Sequence, residues 1–283
     1  MAFDHLPPQT PFVTEPAKRY AASIRERSQA ASESCRCVLD VAYGADYWQR
    51  VDFYLPADRT VTGAPVLVYL HGGAWQRGYK EDMGFMAPPL VDLPAVFVSV
   101  SYRLAPAHKL GALLDDTVSA IALVHRTVAT LGGDPRRMAI GGHSAGGHLA
   151  ALATLRPDLL AAKGLPRDVI RFCLPVAAPF AFEAGRDDET IAALLSAPSE
   201  AAIASPIEHV RPDVRTPFHI TWADGDLPNI VRTGPPMVER LTAAGVPVTA
   251  EEMANMDHFD ISLAHGDPDG AWVRRVSEIL KGL

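Results

Sequence analysis

The chain is poor in cysteine, in runs of like charge and in long apolar stretches, and each scarcity removes a class of protein. Three cysteines in 283 residues cannot form a disulfide framework. Cys35-Arg36-Cys37 has no second Cys/His pair to complete a zinc site, so its alternation is expected to be one face of a strand. No lysine or arginine block interrupts a net charge of −7, which argues against a nucleic-acid or anionic-membrane surface. No apolar run approaches membrane-spanning length. The first residues, Met-Ala-Phe-Asp-His-Leu-Pro-Pro, have neither the basic start nor the apolar centre of a secretory signal. His-Glu-x-x-His is missing, and His143 and His148 lack a third ligand, so no metal and no cofactor are expected. There is no internal repeat and no low-complexity tract. The expectation is a cytoplasmic globular protein without nucleic-acid or membrane partners. Its oligomeric state is not legible, and a homodimer stays open.

What is present is a hydrophobic content of 48%, enough for one large core in a chain of this length. Residues 1–33 read as an N-terminal extension. Prolines at 7, 8, 11 and 16 keep its start extended, and 17–31 is a polar, helix-prone segment with Tyr20 and Ile24 four apart. A mobile arm and a cover over a pocket are both open. Residues 34–283 are expected to form a single domain. Cys35, Cys37, Leu39 and Val41 alternate, as do Val51, Phe53 and Leu55, around the turn Gly44-Ala45-Asp46, which reads as an antiparallel hairpin. The continuous apolar run at 65–70 suits a strand buried on both faces, and the largely apolar segments 95–100, 138–140, 169–176 and 217–222 follow the same logic. Leu114, Val118, Ile121, His125 and Val128 recur at helical spacing, as do Trp272, Val276, Ile279 and Leu280. This alternation implies an α/β chain with a mostly parallel central sheet and helices on both faces. Residues 177–211 break the rhythm with short helical pieces at 189–195 and 199–203. A long excursion between two buried strands reads as a lid-like insertion.

Two motifs carry chemistry. Gly142-His143-Ser144-Ala145-Gly146 fits Gly-x-Ser-x-Gly, with a short buried strand before it and an Ala/Leu-rich helix after it. Such a turn projects a serine hydroxyl from the end of a sheet, with a helix N-terminus behind it. His71-Gly72-Gly73-Ala74-Trp75 directly follows the strand 66–70. Its glycines let the backbone turn and present N–H groups inward. In an acyl-transfer enzyme the N–H groups of Gly72, Gly73 and Ala145 would form an oxyanion hole. His71 is expected to be a structural hydrogen-bonder.

A serine nucleophile needs a base and an orienting carboxylate, in the chain order Ser, acid, His. Ala223-Asp224-Gly225-Asp226-Leu227-Pro228 and Asn255-Met256-Asp257-His258-Phe259-Asp260 are the loops that can supply them. His258 is then the base, with His265 a surface histidine. The acid is open between Asp224 and Asp226. Asp226 is preferred because Gly225 lets the chain turn before it and Leu-Pro fixes its exit.

From here a resemblance is visible over residues 41–265. Tyr43-Gly44, Val51-Asp52-Phe53-Tyr54-Leu55-Pro56, His71-Gly-Gly-Ala-Trp-Gln76, Ser101-Tyr-Arg-Leu-Ala-Pro106, Gly142-His-Ser-Ala-Gly-Gly-His148 and Asp257-His-Phe-Asp260 are similar to the α/β-hydrolase superfamily. Within it they resemble the group joining hormone-sensitive-lipase-like esterases to kynurenine formamidases (arylformamidases), and the formamidase branch most. The resemblance implies the α/β-hydrolase fold and a Ser144–His258–Asp226 catalytic triad, since the acid of that branch lies where Asp226 lies. It also implies a two-step cleavage of a formyl-amide, amide or ester bond in a small, aromatic substrate. Ala74, Trp75 and His143 are the candidate pocket residues. Ala74 departs from the tyrosine that formamidases often carry there, which widens the pocket. A short-chain carboxylesterase and a non-catalytic small-molecule-binding scaffold are the competing readings.

Overall fold

The structure, a computed structural model, describes residues 3, 5–183 and 189–283. One eight-stranded sheet organises it: β1 (Arg36–Ala42), β2 (Arg50–Leu55), β3 (Ala64–Leu70), β4 (Val96–Val100), β5 (Gly133–His143), β6 (Phe172–Val176), β7 (Phe218–Gly225) and β8 (Val248–Asp257). Their spatial order is β1-β2-β4-β3-β5-β6-β7-β8. The pairs β1/β2 and β2/β4 are antiparallel, and every other pair is parallel. This is the α/β-hydrolase architecture with an antiparallel N-terminal hairpin. All seven residues of β3 and all five of β4 are buried, as expected of largely apolar strands covered on both faces. β8, at the edge, alternates between half-buried and exposed positions along much of its length.

Register brings the functional loops together. Leu70 of β3 pairs with Gly142 of β5, so the His71 loop and the Ser144 turn leave the sheet side by side. Gly225 of β7 pairs with Asp257 of β8, which sets the Asp226 and His258 loops next to each other. All four loops emerge at the C-terminal ends of parallel strands, and the first two lie where the order reverses around β3. Open α/β sheets bind ligands there.

Five longer helices matter for the site. The first, α1 (Glu15–Ser34), buries Ala17, Tyr20, Ile24, Ser28 and Ala31, spaced three or four apart along one stripe. It does not swing free. Arg25 bonds Asp82 through Nε at 2.6 Å, Phe85 N donates to Ser28 Oγ at 2.9 Å, and the Tyr20 and Ser262 hydroxyls share a 2.9 Å hydrogen bond. The next two, α2 (Leu110–Thr127) and α3 (Ala145–Leu155), pack together, and every residue of α3 is buried. After the insertion come α4 (Pro228–Ala243) and α5 (Ala271–Gly282). Sequence pattern did not reveal α4, because Pro235 and Pro236 lie inside it and proline removes a helical hydrogen bond.

Of the insertion 177–211, residues 184–188 lie outside the described residues, as do 1, 2 and 4 of the extension. Two bonds hold the rest of the insertion together and a third, from Lys109, ties it to the body, as does Phe180 N donating to Thr233 Oγ1 at 3.1 Å. Ile207 N donates to Phe180 O at 3.1 Å, Phe182 N to Ser205 Oγ at 2.8 Å, and Lys109 Nζ to Ala193 O at 2.8 Å.

Candidate active site

Ser144 sits at φ 53° and ψ −119°, a conformation costing an L-residue on the order of 1–3 kcal/mol. The surroundings over-determine it. A Cβ at Gly142 would lie 2.3 Å from the carbonyl carbon of Gly146, and one at Gly146 only 2.2 Å from Leu70 O. Neither position tolerates a side chain, so the glycines let strand, turn and helix close on one another. Ser144 N donates to Val176 O at 2.8 Å, which fastens the turn to β6.

The imidazole of His258 reaches this serine. Its Nε2 lies 3.1 Å from Ser144 Oγ, and its Nδ1 lies 2.6 Å from Asp226 Oδ1. With Nδ1–H donating to the carboxylate, Nε2 is left to accept the serine proton. The carboxylate of Asp226 is fully enclosed. Burial pushes its pKa up, but the His258 ring and the N–H groups of Leu227 and Ala223 outweigh that and hold it below the ordinary carboxylate value. Asp224 points elsewhere. It accepts from Asn255 N at 2.9 Å and Met256 N at 3.3 Å, and these bonds lower its pKa. Asp224 therefore caps an irregular stretch of β8, while Asp226 touches the imidazole.

Behind the loop, His143 Nε2–H donates to His258 O at 2.9 Å, joining the serine turn to the histidine loop. Burial, and then the neighbouring His258, push its pKa down to about 3, so this ring stays neutral and cannot compete for the proton.

The His71–Trp75 loop winds through left-handed backbone at Gly73 (φ 118°), Ala74 (φ 54°) and Trp75 (φ 60°). It brings Gly72 against the serine: a Cβ there would lie 2.8 Å from His143 Nδ1 and 3.4 Å from Ser144 Cβ. His71 Nδ1–H donates to Gly72 O at 2.7 Å, and its ring stacks on Tyr102 at 4.3 Å. Tyr102 in turn donates to His71 O at 2.8 Å. Burial lowers the His71 pKa to about 4. This histidine shapes the loop rather than facing the serine. Ala145, buried, opens α3 directly beyond the serine.

An ionic cluster centred on the buried Lys80 lies at the far end of the loop that follows β3. Lys80 Nζ lies 2.9 Å from Asp52, 2.6 Å from Glu81 and 2.9 Å from Asp40. No spacing rule in the sequence would have found it, because its members come from β1, β2 and the loop.

Two cavities meet at Ser144. The first, about 380 Å³, lies between the serine, His258, the Gly72 loop and the N-terminal segment, with Phe12, Tyr20 and Ile24 in its wall. Gln9 anchors that segment by accepting from Gly78 N at 2.8 Å and donating to Gly78 O at 3.0 Å. The second, also about 380 Å³, runs from Ser144 past Ala74, Trp75, Phe182 and Ile191. Both suit a small molecule. Ala74 borders both cavities, and His143 only the first. Trp75 is almost fully buried, and its indole N–H donates to His148 Nδ1 at 3.2 Å. His148 passes the connection on to Ala204 O at 2.7 Å, tying the loop to the insertion.

One expectation fails. His265 is not a surface residue: it is fully buried, with Nδ1 3.1 Å from the Tyr69 hydroxyl and its ring 4.1 Å from Trp272. A loop position beside Gly-Asp-Pro suggested exposure, but α5 and β3 close over it. No cluster of three or more His, Cys, Asp or Glu side chains suited to a metal occurs among the described residues. None of their helices is long and apolar enough to cross a membrane.

Known proteins share this frame. A family model described as BD-FAE matches residues 51–163. A kynurenine formamidase of Salmo salar is 28% identical over 260 residues, covering 88% of this chain and 85% of that protein. Carboxylesterase NlhH of Mycobacterium tuberculosis is 45% identical, but over 97 residues, 34% of this chain and 30% of that one. Among solved structures, the thermostable carboxylesterase EstE1 from a metagenomic library superposes with a TM-score of 0.72 at 22% identity. That superposition covers 95% of this chain and 98% of EstE1.

Proposed function

We propose that this chain, a member of the α/β-hydrolase esterase group, is a serine hydrolase with Ser144 as nucleophile, His258 as base and Asp226 as the orienting acid. The observation that carries the reading is the unbroken hydrogen-bonded row from Ser144 Oγ through the His258 ring to Asp226. As Oγ attacks a carbonyl carbon, its proton passes to His258 Nε2. Asp226 keeps the ring in the accepting tautomer and stabilises the imidazolium that forms. The N–H groups of Gly72, Gly73 and Ala145 receive the charge on the carbonyl oxygen, each donor worth on the order of 3 kcal/mol in the transition state. His258 then gives its proton to the leaving amine or alcohol, and water, deprotonated by the same ring, releases the acid from the serine.

The favoured bond is the formyl amide of a small aryl compound. Similarity to the kynurenine formamidases runs along most of the chain, whereas similarity to the Mycobacterium tuberculosis carboxylesterase is confined to about a third of it. The runner-up is a short-chain carboxylesterase, favoured by Ala74, whose small side chain leaves room beside the serine where both cavities meet. The test is kcat/KM on N-formylkynurenine beside a series of short-chain aryl esters. The formamidase reading expects the formyl amide to lead by roughly 10-fold or more. Turnover of the esters alone makes the carboxylesterase reading the right one, and turnover of neither leaves a binding scaffold.

A further inference from the structure

Most of the first cavity's wall is apolar or uncharged, yet two cations border it, Arg25 and Arg77. Arg25 is already committed. Its Nε and Nη2 donate to Asp82 at 2.6 and 3.1 Å, and Asp82 borders the same cavity. Arg77 is not. Its guanidinium lies 5.1 Å from the centre of the Phe12 ring, and its backbone carbonyl packs so closely on Gly73 that a Cβ there would lie 2.1 Å from the oxygen. No carboxylate pairs with it among the described residues. The histidines His71 and His143, also in the wall, are held neutral by burial. Two cations and one carboxylate leave the lining with one positive charge, on a chain whose net charge is −7.

We infer that Arg77 is a specificity residue that takes a carboxylate on the substrate, remote from the bond that is cut. The substrate class is then an aromatic amide or ester carrying a single negative charge. Its ring lies among Phe12, Tyr20 and Phe259, and its acid meets the guanidinium. A planar, weakly hydrated fork already stacked on an aromatic face loses little freedom in binding a carboxylate. The inference rests on the serine hydrolase reading above.

The test uses two acetate esters of one shape, 3-acetoxyphenylacetate and 3-acetoxyphenylacetamide, which differ in charge. The wild-type protein should favour the anion by roughly 10-fold or more in kcat/KM, mainly through KM, and the preference should shrink as salt is raised. Arg77→Met should bring the ratio close to one, and Arg77→Lys should keep part of it. A purely structural arginine would depress both esters together and leave the ratio unmoved. If Arg77→Met does not fold, the wild-type ratio and its salt dependence decide alone. Turnover of both esters without a charge preference, or a preference that survives Arg77→Met, overturns this inference and leaves the hydrolase reading intact. Absence of turnover of both, with Ser144 inert to a fluorophosphonate, overturns the parent reading and this one with it.

Discussion

Mild acid should unfold this protein through its histidines. Besides His258, five are buried: His71, His143, His148, His219 and His265. Burial lowers His71, His148 and His219 to about 4 and His143 to about 3, and takes His265 well below its ordinary value. In the unfolded chain each titrates near 6.5. The folded value is the lower one, so the unfolded chain binds the extra proton. The stabilisation is full above pH 6.5 and is lost as pH falls from there towards the folded values. For the fully enclosed His71, His143 and His148 the loss by pH 5 is about 2 kcal/mol each, or ~6 kcal/mol together. Asp52 works in the opposite sense. Burial raises it to about 6 from 3.8, so the folded state takes up that proton first and regains ~1 kcal/mol at pH 5. The remaining ~5 kcal/mol equals the whole stability of a marginal domain, and His219 and His265 add to it. Urea unfolding, followed by tryptophan fluorescence and circular dichroism from pH 7.5 down to pH 5, should show stability falling by about 3 kcal/mol per pH unit or more at the acid end. A midpoint that does not move across that range would refute the claim that these rings are buried and neutral.

Two other predictions concern the site. Asp226→Asn should cut kcat by roughly 10³–10⁴-fold with little change in Tm, because the amide favours the wrong imidazole tautomer. Asp224→Asn should stay within a few-fold of wild type while losing about 1 kcal/mol of stability with its two backbone bonds. The reverse ranking would move the acid to Asp224. Gly72→Ala drives a methyl to 2.8 Å from His143 Nδ1 and 3.4 Å from Ser144 Cβ. It should lower kcat by about 10-fold or more while the purified variant remains folded by circular dichroism, and an unchanged kcat would show that this backbone does not serve the reaction.

The sheet was legible because strands buried on both faces must be largely apolar, as 65–70 is throughout and 95–100 is apart from Ser99, whose buried hydroxyl donates to Lys80 O. The serine turn was legible because its glycines answer a steric demand that only close backbone packing makes. The choice between Asp224 and Asp226 was left open by the residues alone, since both flank Gly225. Geometry distinguishes them, because the bond from Asp226 to the imidazole depends on the β7/β8 register. Propensity missed α4, where Pro235 and Pro236 are tolerated in a tertiary setting that packs Gly234 on Trp222. His265 was misjudged as exposed because burial is decided by elements distant in sequence. The extension's position was open for the same reason: the partners of Tyr20 and Arg25 are Ser262 and Asp82.

The most direct test of the central claim is covalent. Incubation with a fluorophosphonate, followed by peptide mass spectrometry, should place one label per chain on Ser144. The label should be lost in Ser144→Ala and should form at least about 100-fold more slowly in His258→Ala. Labelling that persists in Ser144→Ala, or that proceeds equally fast without the imidazole, would contradict it.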